Sequence, residues 1–241
     1  MALQGKRLLV IGGSSGIGLA VARQAAAAGA ALLLVGRDSD KLETSAEALR
    51  SSGVAVDQWS LDASRLDALA ELIAGMGPVD HLVSTVGGAM GGGFLANSED
   101  AVRNAIEEKF FVALRIVKAL SPHLRDGGSV TLTSGAGGRP HTASGAIVGN
   151  AAVRMLAEGL AVELAPRLRV NAVAPTWMDT PLWRDLPRSD VEATKAHFAE
   201  QIPLGRTATV EEVAQAYLFA MTNDFVTGQT LIVDGGLGLV S

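Results

Sequence analysis

The chain has 241 residues, 48% of them hydrophobic and 19% charged, and carries a net charge of −5 from 20 Lys and Arg against 25 Asp and Glu. That composition excludes a disordered chain, and the acidic balance argues against a nucleic-acid surface. With no cysteine, disulfide and thiol chemistry are excluded as well.

The first residues, Met1 to Arg7, lack a signal-peptide layout, and no apolar run approaches the roughly 18 residues needed to cross a bilayer. A cytoplasmic protein with no membrane partner is expected. Leu8-Leu9-Val10-Ile11 is an unbroken apolar run of the length of a strand buried on both faces. It passes directly into Gly12-Gly13-Ser14-Ser15-Gly16-Ile17-Gly18 and then into an Ala-rich helix former, 19–27. Strand, glycine turn and helix form the setting in which such a loop binds a nucleotide. The glycines let a pyrophosphate approach main-chain N–H groups, and the helix points its positive end at the anion. An ordinary βα turn is the plain alternative, but the flanks are right on both sides.

Gly29 stops the first helix, and 31–36 reads as a second strand. A polar-faced helix at 38–51 and a third strand at 54–61 follow. Residues 64–74 form a helix ended by Gly75, Gly77 and Pro78; a fourth strand spans 80–85, and the loop 87–93 holds five glycines. A long helical region, 98–124, leads through Asp126-Gly127-Gly128 into a fifth strand, 129–133. Then come a helix at 143–164, a sixth strand at 168–174, a helix at 209–222 and a last strand at 229–233. Residues 176–203 have no clear strand role. Trp177, Met178, Leu182, Trp183 and Leu186 make this stretch either a substrate lid or a surface helix packed on the sheet edge.

Strands alternating with helices at this spacing specify βαβ units. We therefore expect one Rossmann-type, doubly wound α/β domain over 1–241. Its seven-stranded parallel sheet has the order 3-2-1-4-5-6-7, helices on both faces and ligands at the C-terminal strand ends.

The spacing Gly12-x-x-x-Gly16-x-Gly18 resembles the glycine loop of the short-chain dehydrogenase/reductase family, and the resemblance covers nearly the whole chain. Leu61-Asp62-Ala63 is similar to the segment where the family places an acid on the adenine ring. Residues 80–87 look like its fourth-strand segment, with Thr85 and Val86 in place of Asn and Ala before Gly87. Ser129 to Ser134 resembles the strand carrying the catalytic serine. Arg169 to Pro175 resembles the sixth-strand signature, with Thr176 where a glycine is usual. Thr180-Pro181, Thr227-Gly228-Gln229 and Asp234-Gly235-Gly236 complete the match. The resemblance implies cofactor contacts from Gly12, Ser14, Ser15, Gly16, Ile17 and Gly18, adenine beside Asp62 and Ala63, and nicotinamide-side contacts from Gly87, Pro175, Met178 and Thr180. At the end of strand two, Gly36-Arg37 offers a guanidinium rather than an acid. That group suits a 2′-phosphate, so NADP(H) is the expected cofactor.

The catalytic positions depart from the family, whose proton donor is a tyrosine four residues before a lysine. Ala146 stands at the tyrosine position and Asn150 at the lysine position. An alanine cannot protonate a carbonyl oxygen. The family often carries an asparagine where Lys109 falls, so asparagine and lysine look exchanged: Lys109 either delivers the ammonium from the opposite helix or merely pairs with a neighbouring Glu. His141 is a further acid by chemistry, though a loop histidine is more often solvated. His81, His123 and His197 lack metal-ligand spacing, and no metal is expected.

Two function classes stay open. One is an NADP(H)-dependent oxidoreductase acting on a small carbonyl or alcohol, using Ser134 and Lys109. The other is a non-catalytic NADP(H)-binding sensor or regulatory protein. A homodimer or homotetramer is implied by the resemblance.

Overall fold

The computed structural model describes residues 2–240. At the centre of the sheet β1 (Arg7–Ile11) pairs in parallel with β2 (Ala31–Gly36), Leu9 opposite Leu33, and with β4 (Val79–Ser84), Leu9 opposite Leu82. β3 (Val56–Ser60) closes one edge; β5 (Leu124–Thr133), β6 (Leu168–Pro175) and β7 (Thr230–Val233) extend the other. The order is β3-β2-β1-β4-β5-β6-β7 with every pairing parallel, as the alternating pattern requires.

Why the strands read as continuous apolar runs is now clear: both faces of the sheet are covered. Leu8 and Val10 meet α1 (Gly16–Ala27), α2 (Ser39–Arg50) and α8 (Val210–Thr222) on one side. Leu9 and Ile11 meet α3 (Leu66–Met76), α5 (Val112–Leu120) and α6 (Ser144–Glu163) on the other. α6 is long and apolar enough to span a bilayer by composition alone, yet Val153, Ala157 and Leu160 sit in that second core. It is a core helix of the sheet.

Two elements differ from expectation. The helical region 98–124 is broken into α4 (Glu99–Ile106), a π-helical turn (Glu107–Phe111), α5 and a 3₁₀ turn (Ser121–His123). Pro122, which lacks an N–H, accounts for the second break. β5 also begins earlier than expected, at Leu124. Gly127 takes φ +79°, and a Cβ on Gly128 would lie 2.1 Å from the Asp80 carbonyl oxygen, so only glycine lets the strand bend past β4 at that register shift.

Asp80 and His81 anchor the lower end of β4. Asp80 accepts the Arg7 backbone N–H at 2.8 Å and pairs with Arg125 at 3.0 Å and Lys6 at 3.4 Å. Burial pushes its carboxyl up, but the Arg7 N–H, Lys6 and Arg125 outweigh that and hold it below the usual carboxylate range. His81 is 4% exposed and shares a 2.8 Å hydrogen bond between Nδ1 and Ser129 Oγ. Burial pushes its pKa down from 6.5 to about 4. Between those values the unfolded chain binds a proton that the folded one refuses, so stability falls as pH drops through that window. A urea titration of the wild type should lose up to about 3 kcal/mol from pH 7 to pH 4 through this group. His81→Gln should flatten that slope; an unchanged slope refutes the assignment.

Candidate nucleotide and active site

The loop after β1 owes its shape to contacts only glycine allows. Gly12 takes φ +88°, and a Cβ on Gly18 would lie 2.1 Å from the Gly12 carbonyl oxygen. Thr85, where the resembling family has asparagine, donates its hydroxyl to the Ile11 carbonyl at 3.1 Å, so it ties the loop to β4. Ser15 is the N-cap of α1, but its side chain makes no capping hydrogen bond and the first turn holds no acid. The first N–H groups of α1 are thus left for a ligand. That is the donor set and field an anion requires.

At the end of β2 a Cβ on Gly36 would meet Ser14 Oγ at 3.0 Å, which places that hydroxyl over the strand end next to Arg37. Ser45, on α2, supports the loop by donating to the Ser14 carbonyl at 3.1 Å. Arg37 is exposed and has no carboxylate partner among the described residues. Asp62 accepts the Ser64 N–H at 3.0 Å; that bond, the Ser64 hydroxyl and the nearby Arg37 and Arg65 charges hold its carboxyl below the usual range. Ala63, the next residue, is buried in the core. Gly12 to Gly18, Arg37 and Asp62 therefore form one edge along the strand ends, and this edge fits a dinucleotide carrying a 2′-phosphate.

The segment after β6 returns over this edge. A Cβ on Gly16 would touch Pro181 Cδ at 3.6 Å and Thr180 Cβ at 3.8 Å, with Ile17 next in the helix. Pro175 ends β6 and Met178 is 4% exposed. Residues 176–203 then form a 3₁₀ turn (Pro181–Trp183) and α7 (Arg188–Gln201). Trp177 stacks on Trp183 at 6.0 Å and on Phe198 at 5.7 Å, and Trp183 Nε1 donates to the Met178 carbonyl at 3.0 Å. An aromatic stack, rather than a broad buried face, holds α7, of which only Val191 is buried.

Ser134 follows β5 directly and is 2% exposed. Its hydroxyl donates to the Asn150 carbonyl at 2.8 Å and accepts Arg154 Nε at 3.3 Å. Arg154 Nη2 also donates to the Gly135 carbonyl at 2.6 Å. Sequence reasoning missed Arg154. The signal was there, since 146, 150 and 154 fall four apart on one helical face. Ala146 is buried at the first turns of α6, beside Gly145, whose added Cβ would touch Met90 Sδ at 2.9 Å. Asn150 lies against Gly135, its Oδ1 buried without a hydrogen-bond partner.

Lys109 sits at the centre of the π-helical turn, a widening of the helix that often marks functional positions. Its Cβ packs on Gly149, next to Asn150, and its Nζ lies 3.3 Å from where a Cβ on Gly87 would stand. No carboxylate pairs with it among the described residues; Glu107 is taken by Arg115 instead. Burial lowers its pKa to about 8. His141 is exposed. The one tyrosine, Tyr217, is fully buried and shares a 2.7 Å hydrogen bond with Thr133 Oγ1; burial raises its pKa. It is a core residue of α8.

Residues 12–238 match the family model described as enoyl-(acyl carrier protein) reductase. The chain is 34% identical over 250 residues to L-xylulose reductase of Mus musculus, covering 98% of each chain. It is 33% identical over 252 residues to the short-chain dehydrogenase/reductase fsr5 of Gibberella fujikuroi, covering 97% of this chain and 95% of that one. The solved gluconate 5-dehydrogenase of Burkholderia cenocepacia, in complex with NADP and tartrate, superposes with a TM-score of 0.88 at 29% identity, over 99% of this chain and 97% of that one. Sheet order, glycine loop and full-length similarity agree: the chain belongs to the short-chain dehydrogenase/reductase family of oxidoreductases.

Proposed function

We propose that this protein is an NADP(H)-dependent oxidoreductase acting on a small carbonyl or alcohol, with an altered proton-donating site. The observation that carries the reading is the pairing of an uncapped α1 N-terminus with Arg37, an unpaired guanidinium at the end of β2. NADP(H), when bound, supplies or takes up the hydride. The Gly12 to Gly18 loop holds its pyrophosphate, Ser14 and Arg37 its 2′-phosphate, and Asp62 and Ala63 flank its adenine. Gly87, Pro175, Met178 and Thr180 line the nicotinamide end. The NADP complex of the gluconate 5-dehydrogenase relative supports this choice of cofactor.

At the reacting end, Ser134 hydrogen-bonds the substrate oxygen in place of Asn150. Ala146 leaves the space a phenol would fill, and Lys109, with a pKa near 8, holds a water there and moves a proton to it. General-acid assistance is worth about 100- to 10,000-fold, so an enzyme without the phenol is slow rather than dead. Residues 176–203 close over the substrate. A second copy of the chain covers the apolar side chains left bare on α6, the β7 edge and the loop before β7, among them Met155, Val162, Ile232 and Phe225; a monomer mass by light scattering overturns that part.

The second reading, a non-catalytic NADP(H)-binding protein, draws support from Ser134, whose hydrogen is directed at a backbone carbonyl. A panel of small carbonyls followed by NADPH absorbance separates the two. Slow reduction that rises in an Ala146→Tyr, Asn150→Lys variant supports the enzyme. Tight NADPH binding with no reduction in either protein supports the sensor.

A further inference from the structure

We propose that Arg154 is a positioning residue that acts through Ser134, holding the serine oxygen and stabilising the negative charge that appears on it when its proton is given to the substrate. The inference rests on the hydride-transfer reading above.

Four observations carry it. First, Arg154 grips two consecutive residues at the end of β5: Nε donates to Ser134 Oγ at 3.3 Å, and Nη2 donates to the Gly135 carbonyl at 2.6 Å. A planar guanidinium making both bonds fixes the direction of approach to the hydroxyl, which a flexible ammonium does not. Second, no carboxylate among the described residues pairs with Arg154, so its positive charge is not cancelled beside the serine. Third, Arg154 is the only charged side chain among the described residues that hydrogen-bonds Ser134, because Ala146 and Asn150 occupy the other two positions on that face of α6. Fourth, the acceptor now holding the Ser134 hydrogen is dispensable. The Asn150 carbonyl lies inside α6, where the Arg154 backbone N–H, four residues on, also bonds to it. Turning the hydroxyl hydrogen away therefore leaves no orphaned carbonyl.

The chemistry follows from these contacts. A guanidinium does not give up its proton in a protein, so Arg154 cannot be the acid. It accepts no bond either, and serves only as a fixed charge and donor. With NADPH as the reductant, the carbonyl carbon gains a hydride and the carbon–oxygen π pair moves to oxygen. That oxygen takes the Ser134 proton, and the serine oxygen, charged for that interval and held by Arg154, takes a proton back from the water beside Lys109, which gives that water its ammonium proton and is itself reprotonated from solvent. NADPH is oxidised, the carbonyl is reduced to an alcohol, and serine is restored. An oriented cationic donor in place before charge develops is the arrangement that lowers such a barrier.

The test compares wild type with Arg154→Met, Arg154→Lys, Ser134→Ala and the Ser134→Ala, Arg154→Met double variant. NADPH affinity comes from a fluorescence titration, and the single-turnover rate from a reducible carbonyl across pH. In the nucleotide-free protein, the Ser134 hydroxyl proton is followed by NMR. Arg154→Met should leave NADPH affinity within about twofold and slow turnover by about 10- to 100-fold, with partial recovery in Arg154→Lys. The double variant should be no slower than Ser134→Ala, since Arg154 acts only through that hydroxyl. The hydroxyl resonance should vanish in Ser134→Ala and shift in Arg154→Met. A wild-type rate in Arg154→Met, fully additive losses, or an unshifted resonance overturns the role of Arg154 alone. A wild type that binds NADPH and reduces no carbonyl overturns the hydride-transfer reading and this role with it. Should Arg154→Met fail to fold, Arg154→Lys and Ser134→Ala carry the comparison: equal rates in Arg154→Lys and wild type at every pH then count against it.

Discussion

Replacing Gly18 with alanine is expected to weaken NADPH binding by at least about 100-fold, close to 3 kcal/mol, or to abolish it. The added Cβ would stand 2.1 Å from the Gly12 carbonyl oxygen and 2.8 Å from the Gly12 carbonyl carbon. Both are backbone atoms, and neither can swing aside as a side-chain tip would. The loop must open or α1 must back away, and either movement spoils the alignment of the N–H groups with the pyrophosphate. Gly18 itself is buried in α1, whose Ala20, Val21, Ala22 and Ala25 fill the core with α8. A loss of thermal stability should accompany the loss of binding. Fluorescence titration with NADPH, alongside a circular dichroism melt, reads both. Unchanged affinity in a folded variant would show that the nucleotide is held elsewhere.

Removing the Arg37 guanidinium should have the next largest effect, and a selective one. Hydrogen bonds to a charged group contribute about 1.5–3 kcal/mol, so Arg37→Ala should cost NADPH about 10- to 100-fold in affinity. NADH, which has no 2′-phosphate, should bind the variant as it binds the wild type. Because Arg37 is exposed and unpaired among the described residues, no structural partner is orphaned and the fold should be undisturbed. Raising the salt concentration should narrow the gap between the two nucleotides, since an exposed charge is screened. Calorimetric titration with both nucleotides decides the matter. Equal affinities in the wild type, or unchanged NADPH affinity in the variant, would remove Arg37 from the site.

The proposed departures at Ala146 and Asn150 give these two results their weight. In the proposed reading, cofactor binding and proton donation lie on different elements: the glycine loop and the end of β2 for the first, and β5, α6 and the π-helical turn around Lys109 for the second. A chain can keep one while altering the other, and nucleotide affinity and turnover must therefore be read separately.

Much of this protein was determined by its sequence alone. Leu8 to Ile11, the glycines that follow and the repeating strand–helix pattern specify the seven-stranded order, because each is a local signal: an apolar run of strand length, a turn only glycine can make, an Ala-rich helix. The placement of Arg37 just past a strand end and of Ser14 in the loop after β1 is legible for the same reason, since both follow directly from the strand boundaries. Tertiary structure decided the rest. The interruption of the helix at Glu107–Phe111, the packing of Lys109 between Gly87 and Gly149, and the cover of Met90 over Gly145 depend on residues tens of positions apart. So does the burial of Tyr217 against Thr133, 84 positions away. Arg154 is the sharpest case. In sequence its spacing puts it on the helical face of Ala146 and Asn150, but that spacing says nothing of what the side chain reaches. Only when α6 lies along β5 does its side chain reach Ser134 and Gly135, because a hydrogen bond needs atoms about 3 Å apart and the chain pattern sets faces, not distances.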